Sequence, residues 1–307
     1  MNKKLVLMDH DGAIDDFLAM MLLLTMSEVE PLGIVVTPAD CYPKAAVSVT
    51  RKILDLMGKS SIEVSESLVR GINPFPPEFR RDCTIIDNFP ILNERETVAT
   101  PLASVAGVEF TIDCLQNAVT PVTLMITGPL TTIAEAIAIE PNIIGKIQEI
   151  VWMGGALEVG GNVEKAFALE HDGTAEWNVF WDAVSAKQIW DTDISITLCP
   201  LDITNTVPVT REFIKTLARQ RQYPVSDLAG MCYSLAIPQA YYCWDILATA
   251  YLARPEFYTV EEKETDIIPT GISQGRTILK SGGKKIKVMS EVDRREFYSY
   301  LLKQFQR

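Results

Sequence analysis

The chain has 307 residues, of which 48% are hydrophobic and 22% are charged, with a net charge of −12 and a pI near 4.8. This length allows one large or two small domains, and the composition supports a substantial hydrophobic core. The negative charge argues against nucleic acid or an anionic membrane as a partner. It favours a cation or an uncharged small molecule as the ligand.

Two further features bear on the compartment. The longest apolar run, Phe17 to Met26, is too short to span a bilayer, and the residues before the first strand lack the pattern of a secretory signal. The six cysteines are scattered without a CxxC spacing, which argues against a zinc site or a disulfide framework. These features predict a reducing cytoplasm as the compartment. The length and composition predict one domain over residues 1–307.

Taken in chain order, apolar runs of strand length alternate with helical patterns, which is typical of a mostly parallel sheet flanked by helices. The predicted strands of this part are Leu5–Asp9, Pro31–Thr37, Val122–Ile126, Lys146–Met153 and Ile194–Cys199. The predicted helices between and after them are Asp15–Ser27, Pro43–Met57, Ser104–Gln116, one starting near Leu130, and Ala183–Trp190. The sequence thus predicts a single large α/β domain.

The last third of the chain is predicted as helices followed by short strands. The segment from Val209 to Ala240 has helical patterns, and an apolar helix follows over Ile246–Leu252. The predicted strands are Tyr258–Val260, Asp266–Pro269, Thr277–Leu279 and Lys285–Val288, before a closing helix over Arg294–Gln304. No internal repeat or linker interrupts the pattern.

The most informative stretch is DHDGAIDD at residues 9–16, where four carboxylates follow an apolar strand and lead into an apolar helix. Like charges this close repel, and Ca²⁺ or Mg²⁺ binds several carboxylates at once. If the extended chain continues to Asp11, period-2 alternation places Asp9 and Asp11 on one face, and Gly12 permits the turn. The alternative is that Asp11 caps the helix and the other acids are solvated.

Polar residues also follow later predicted strands, at the edge where open α/β sheets bind ligands. Asp40 follows the second strand, although it could equally cap the next helix. Asn162, Glu176 and Asn178 lie in polar loops and suit the recognition of sugar hydroxyls, or are turn residues only. Asp245 opens the apolar helix near residue 246 and, taken alone, is most simply a cap.

The segment from Gly71 to Pro90 is proline-rich and predicted to be irregular. Long irregular loops inside compact domains are usually functional or mobile. Its aromatic residues Phe75 and Phe79 could close over a ligand or pack the loop onto the body of the domain.

Taken together, these motifs resemble the nucleoside hydrolase (ribohydrolase) family. The acidic stretch at 9–16 is similar to the family's N-terminal aspartate fingerprint, and further blocks occur in family order along essentially the whole chain: ITGPL (126–130), MGGA (153–156), GNV (161–163), DGTAEWN (172–178) and YCWD (242–245). Asp40 and Trp244 resemble the purine-preferring inosine-adenosine-guanosine branch, since the pyrimidine-tolerant branch typically has His at position 244.

The resemblance implies a Rossmann-like nucleoside hydrolase fold, a homodimer and a role in purine salvage. It implies a Ca²⁺ ion held by four groups, namely Asp11, Asp16, the Thr127 carbonyl and Asp245, with oxygen ligands throughout. It implies ribose contacts from Asp15, Met153, Asn162, Glu176 and Asn178. The base would lie among Asp40, Phe79 and Trp244.

The implied reaction is calcium-dependent hydrolysis of the N-glycosidic bond of purine ribonucleosides. Asp11 would act as the general base on a water bound to the ion, and Trp244 would stack on the leaving base. Attack opposite the base predicts inversion at C1′. Two residues depart from the purine branch: Phe79 stands where relatives usually have Trp, and Ala13 where they often have Asn.

Two alternatives remain open on the sequence. The Asp9-x-Asp11 pair after a strand also resembles the haloacid-dehalogenase phosphatases, with Asp9 as nucleophile and Asp11 as acid/base. The second alternative is a nucleoside- or ribose-binding protein that has lost turnover through Phe79 or Ala13.

Overall fold

Nine strands form one sheet in the part of the chain that the computed structural model describes, residues 3–164, 168, 170–237 and 239–307. The strands β1 to β9 are Lys4–His10, Val29–Val36, Val64–Glu66, Val122–Ile126, Ile147–Met153, Ile196–Cys199, Tyr258–Ile267, Thr277–Leu279 and Lys284–Val292. Their order across the sheet is β3-β2-β1-β4-β5-β6-β9-β7-β8. Met1, Asn2 and Pro238, on which parts of the sequence predictions fall, lie outside the described residues.

Helices cover both faces of this sheet. The α-helices α1 to α13 are Ile14–Thr25, Pro43–Leu56, Pro77–Arg80, Asp82–Asp87, Gly107–Asn117, Thr131–Ile139, Trp177–Trp181, Ala183–Trp190, Leu201–Thr204, Arg211–Arg219, Pro224–Ala236, Trp244–Ala250 and Arg294–Gln304. Short 3-10 helices lie at Pro90–Leu92, Pro141–Lys146 and Pro255–Phe257. Among the described residues, no helix combines the length and apolar character needed to cross a membrane.

The pairing of the strands confirms the predicted fold class. Neighbours from β3 to β9 in the sheet order pair in parallel, and only β7 pairs antiparallel, with β8 and β9. The chain proceeds from β1 outward through β2 and β3, then returns to β4 on the other side of β1. This reversal of strand order creates a crevice at the carboxyl ends of β1 and β4, where ligands bind in such sheets.

Two segments differ from their sequence predictions. The separate strands predicted at Tyr258–Val260 and Asp266–Pro269 form one strand, Tyr258–Ile267, because its polar middle pairs with β9 and needs no apolar side chains there. The segment 71–90, predicted to be irregular, contains the short helices α3 and α4.

Helix α1 is the most deeply buried helix near the crevice. All twelve of its residues are buried, including Asp15 and Asp16 in its first turn, and it packs against α12. Apolar residues on every side of the helix account for this position. The consequence is that the first-turn carboxylates are held inside the protein at the ends of the strands.

The turn from β1 into α1 depends on Gly12. Its φ is +81°, a left-handed conformation that other residues adopt at a cost. A Cβ built at this position would lie 2.7 Å from the Cβ atoms of both Ala46 and Cys41. The turn therefore needs glycine both for its backbone conformation and for its close approach to α2.

The 268–276 turn, which joins β7 to β8, binds the loop at residues 171–174. Asp172 accepts hydrogen bonds from the Ser273 hydroxyl, from Thr174 N at 3.0 Å and from Thr174 Oγ1 at 2.5 Å. Partial burial raises the pKa of Asp172, but these hydrogen bonds outweigh it and lower that pKa to about 2. The loop that leads into α7 is thus fastened by an ionised carboxylate.

Replacing Gly12 should destabilise the protein more than replacing a glycine in open space. Gly58 also has a positive φ, of +66°, but no atom lies within 4 Å of the position that a Cβ would take there. We expect Gly58→Ala to lower the free energy of unfolding by roughly 1–2 kcal/mol, and Gly12→Ala to add a further 1–3 kcal/mol or so from overpacking. Urea unfolding measures both; equal losses would contradict the role of close packing.

Removing the charge of Asp172 should destabilise the protein in a pH-dependent way. Because the folded pKa is depressed, its contribution is present above pH 4 or so and is lost as the pH falls toward 2. After allowance for solvent screening we expect Asp172→Asn to cost about 1 kcal/mol at pH 7, and about half as much at pH 3. Urea unfolding at both pH values tests this, with exposed Asp113→Asn as control; a pH-independent difference would contradict it.

Candidate active site

A cavity of about 490 Å³ opens at the carboxyl ends of the central strands. Asp11 enters it after β1, Asp40 after β2, Thr127 after β4 and Met153 at the end of β5. The structure brings every one of the twelve predicted site residues to the lining of this cavity: Asp11, Asp15, Asp16, Asp40, Phe79, Thr127, Met153, Asn162, Glu176, Asn178, Trp244 and Asp245. Residues up to 234 positions apart in sequence, from Asp11 to Asp245, therefore share one crevice.

Three carboxylates converge at the floor of the cavity. Asp15, Asp16 and Asp245 are buried and place one oxygen each within 4.8 Å of one another. Asp15, predicted to contact ribose, belongs to this set, whereas Asp11 does not and lies beside Asp16. The helix-cap alternatives are wrong for Asp11 and Asp245, because the N-caps of α1 and α12 are Ala13 and Cys243.

The cap alternative is also wrong for Asp40, since the N-cap of α2 is Tyr42. Instead, the backbone N–H of Asp40 donates to Asp11 Oδ2 at 3.2 Å. This contact ties the turn after β2 to the turn after β1. It holds the Asp11 carboxylate in the crevice between the two strands.

Asp9 does not enter the cavity. Strand β1 ends at His10, so the predicted alternation stops before Asp11, and Asp9 is absent from the described lining residues. Its buried carboxylate accepts a hydrogen bond from Thr37 Oγ1 at 2.7 Å, and burial raises its pKa to about 8. A carboxylate enclosed in this way cannot act as the nucleophile that the phosphatase alternative requires.

The electrostatics of the cavity favour a bound cation. Burial, followed by the charges of neighbouring aspartates, raises the pKa values of Asp11, Asp40 and Asp245 well above the ordinary value, and that of Asp15 to about 7. Among the described lining residues Arg81 is the one lysine or arginine, and its side chain is 68% exposed. The protein itself therefore supplies little positive charge to the buried carboxylates.

The donor set fits a hard divalent cation. Asp16 is fixed in place because its Oδ1 accepts from Thr127 Oγ1 at 2.5 Å and its Oδ2 accepts from Ala13 N at 2.8 Å. All of the converging atoms are carboxylate oxygens, which Ca²⁺ and Mg²⁺ prefer. These hydrogen bonds position the oxygens before any ligand arrives.

A hydrogen-bonded frame lies opposite the carboxylates. Asn178 Nδ2 donates to the carbonyls of Thr127, at 2.8 Å, and Met153, at 3.1 Å. Glu176 is the N-cap of α7 and accepts from the backbone N–H groups of Asn178 and Gly155, both at 3.0 Å, while burial raises its pKa to about 7. The Thr127 carbonyl retains a second lone pair toward the cavity. Two strand ends are thus joined to α7.

Asn162 extends this frame to the loop after β5. Its side-chain Oδ1 accepts a hydrogen bond from Trp177 N at 3.1 Å. Sequence reasoning identified Asn162, Glu176 and Asn178 as polar groups for a sugar, but did not find that they also join α7 to the strand ends. Such contacts depend on tertiary distances that no spacing in the sequence indicates.

Two groups of aromatic rings line the cavity. In one, the Trp244 ring packs edge-on to Tyr241, with ring centroids 4.6 Å apart; in the other, Phe79 and Phe75 pack against Trp177 at 6.4 Å and 4.9 Å. Trp244 Nε1 and Asp40 Oδ1 are buried, and within the described part of the chain neither has a hydrogen-bond partner. Buried polar atoms are normally paired, so this end of the cavity suits a polar aromatic ligand.

Tyr241 is the principal residue that sequence reasoning missed. Its hydroxyl donates to Asp15 Oδ1 at 2.8 Å, and its ring lines the cavity beside Trp244. The pair Tyr241-Tyr242 before Trp244 was the available signal, but aromatic residues next to an apolar helix equally predict core packing. Only the fold shows that this hydroxyl reaches the first turn of α1.

Comparisons with known proteins agree with this geometry. The model of the family described as "Inosine-uridine preferring nucleoside hydrolase" matches residues 6–299. A pyrimidine-specific ribonucleoside hydrolase RihA from Shewanella woodyi is 27% identical over 319 residues, with 96% of each chain covered.

Solved structures show the same fold. The inosine-uridine preferring nucleoside hydrolase from Bacillus anthracis superposes with a TM-score of 0.95 at 39% identity, over 99% of each chain. A purine-preferring ribonucleoside hydrolase from Gardnerella vaginalis gives a TM-score of 0.82 at 24% identity, over 99% of this chain and 98% of that one. Because the family model spans nearly the whole chain, this protein belongs to the inosine-uridine preferring nucleoside hydrolase family and is a nucleoside N-ribohydrolase.

Proposed function

We propose that this N-ribohydrolase cleaves purine ribonucleosides with the help of Ca²⁺, giving free base and ribose. The observation that carries the proposal is the convergence of Asp15, Asp16 and Asp245 beside Asp11 in one buried crevice. A hard cation would offset their repulsion, and the uncharged diol of a ribose is a ligand that an acidic cavity accepts.

Ca²⁺ would be held by Asp11, Asp16, Asp245 and the Thr127 carbonyl, with Asp15 within reach of the same position. When bound, it would orient the ribose 2′- and 3′-hydroxyls and make the attacking water more acidic. Asp15, Met153, Asn162, Glu176 and Asn178 would hold the ribose from the other sides, as their place in the lining supports.

The chemistry of the chain's own residues follows from the transition state. Cleavage of an N-glycosidic bond passes through a ribosyl group with oxocarbenium character, and the carboxylates around the sugar stabilise that positive charge as it develops. Asp11 takes the proton of the water that attacks C1′ on the face opposite the base. The Asp40 N–H group holds Asp11 in position for this transfer.

The aromatic end of the cavity supports a purine as the leaving group. The face of Trp244 stabilises a base that becomes protonated, by roughly 1–2 kcal/mol, or about tenfold in rate. Phe79 would bound the opposite side of the base. Pyrimidine nucleosides are the second candidate, because the RihA relatives are named as pyrimidine-specific.

The base preference is tested by incubating the protein with inosine, adenosine, guanosine, uridine and cytidine in calcium-containing buffer and detecting the free base. We expect the purine nucleosides to have the higher kcat/KM. Faster release of uracil or cytosine would assign the pyrimidine candidate instead. Tight binding of every nucleoside without base release would support the binding-protein alternative and overturn the hydrolytic proposal.

The role of Asp11 is tested with Asp11→Ala. We expect loss of at least three orders of magnitude or so in kcat, because the general base and part of the charge stabilisation are both removed. Much of the affinity for ribose should remain, since the other ribose contacts are intact. Asp113→Ala on the exposed face of α5 is the control, and circular dichroism checks folding; unchanged turnover in Asp11→Ala would remove it from the mechanism.

Calcium should also stabilise the folded protein, a readout that does not depend on activity. At a hundred times its dissociation constant, a ligand that binds only the native state adds about 2.7 kcal/mol of stability. We expect added Ca²⁺ to raise the melting temperature and EDTA to reverse this rise. Asp245→Asn should abolish most of the shift, whereas exposed Glu94→Gln should keep it; an equal shift in both variants would contradict the assigned site.

The homodimer and the role in purine salvage remain predictions from the family resemblance, and the cytoplasmic location remains a prediction from the scattered cysteines.

A further inference from the structure

Three segments meet at residues that are absent from the described lining of the cavity. They are the start of the base-side segment (residues 71–90), the end of α7, and the 268–276 turn between β7 and β8. The base-side segment contains Phe75 and Phe79, and α7 begins with Trp177. The segments that meet here therefore also contain the three rings of one aromatic group of the cavity, the aromatic wall.

Asn73 is the residue through which the base-side segment is attached. Its Nδ2 donates to the Phe180 carbonyl at 2.6 Å and to Gln274 Oε1 at 2.9 Å. Its backbone N–H donates to the Trp181 carbonyl at 3.0 Å. One half-buried side chain therefore joins residues that are 107 and 201 positions away in sequence.

Gln274 receives this attachment and is itself held in place. Its Nε2 donates to the Pro269 carbonyl at 3.0 Å, which fixes the side chain across its own turn. Its backbone carbonyl lies 2.8 Å from His171 Nε2, while His171 Nδ1 accepts from Gly173 N at 2.9 Å. The Nδ1 atom is thus an acceptor, so Nε2 carries the proton and donates to Gln274. The turn is joined to the loop that leads into α7.

Close packing of the backbone accompanies these hydrogen bonds. A Cβ at Gly71 would lie 2.3 Å from the Trp181 ring, and a Cβ at Gly275 would lie 2.7 Å from Phe180 Cα. Neither approach leaves room for a side chain. The three segments therefore meet in a single defined arrangement.

The base-side segment is attached separately at its two ends. After Phe79, Arg80 Nε donates to the Cys41 carbonyl at 2.9 Å, and Cys83 and Ile86 of α4 are buried. Helix α3, which contains Phe79, has no buried residue. Phe75 is buried, but it lies against Trp177, whose own position depends on α7. The hydrogen bonds of Asn73 are the polar contacts that attach the Phe75 end of the segment, whereas Arg80 attaches the end that follows Phe79.

We propose that Asn73 and Gln274 are positioning residues for the leaving base: through the Nδ2–Oε1 hydrogen bond they hold Phe75 against Trp177 and so set the aromatic wall that these rings form. They touch neither the sugar nor the carboxylates. This inference rests on the proposed function, because it assigns the wall to the base of a nucleoside.

The consequence is a selective defect. Loosening the wall should slow release of a natural base, which needs contacts on both of its faces. It should have little effect on 4-nitrophenyl β-D-ribofuranoside, whose leaving group departs as a stable anion without such help but whose ribose uses the same carboxylates. A change that merely damaged the fold would slow both substrates.

The test compares Asn73→Ala, Gln274→Met and the double variant with Asn142→Ala, whose amide bonds only locally to Glu140. We expect kcat/KM for inosine or uridine, whichever the wild type cleaves faster, to fall about tenfold in each single variant. Cleavage of the nitrophenyl riboside should change about twofold or less, and the double variant should lose no more than the worse single one, because both act through one bond. Asn142→Ala should resemble wild type.

Hydrogen exchange gives a second readout that is independent of catalysis. Backbone amides of residues 71–79 should exchange faster in Asn73→Ala and in Gln274→Met, and not in Asn142→Ala. Equal losses on both substrates, or unchanged exchange with unchanged kcat/KM, would overturn the proposal. A wild-type protein that releases neither base nor nitrophenol would overturn the proposed function. In that case, faster exchange in the two variants would still support the attachment through Asn73 and Gln274, and unchanged exchange would overturn that attachment.

Discussion

The mutual repulsion of buried carboxylates is the constraint on which the rest of this structure depends. Asp11, Asp15, Asp16 and Asp245 are removed from water and lie close together. Burial, followed by the charges of neighbouring aspartates, raises the pKa values of Asp11, Asp15 and Asp245. Such a cluster is unfavourable unless a rigid scaffold holds the carboxylates together and a bound cation offsets their repulsion. The fold provides the rigidity, because the acids stand at the end of a central strand and in the first turns of two buried helices, α1 and α12, that pack on each other.

Hydrogen bonds from uncharged donors hold the carboxylate oxygens of the cavity in place. Thr127 contributes twice, since its hydroxyl binds Asp16 while its carbonyl accepts from Asn178. Glu176 then fastens α7 to the glycine turn after β5. The carboxylates and the polar residues of α7 are thus joined in one hydrogen-bonded network. A substitution at Thr127 or Asn178 would displace residues in both groups.

The two ends of the cavity differ in how strongly the fold determines them. The acidic end is built on strand ends and buried helices, whereas the aromatic end lies partly on the short helix α3, which has no buried residue, and on a loop attached through side chains such as Asn73 and Arg80. Loops accept substitution more readily than core elements. Solved structures that share this fold are named for different bases, one inosine-uridine preferring and one purine-preferring.

The sequence by itself determined the parallel α/β sheet and the buried α1, since hydrophobic periodicity is a property of neighbouring residues. The grouping of the twelve site residues followed from the resemblance of the motifs to the nucleoside hydrolase family. The sequence did not reveal that β7 is one strand, that Asp9 turns away from the cavity toward Thr37, that Asp15 joins the converging carboxylates, or that Tyr241 reaches Asp15. Nor did it indicate the contact between Asn73 and Gln274, which are 201 positions apart. These features were decided only by tertiary structure, because they depend on which distant side chains the packed chain brings within hydrogen-bonding distance.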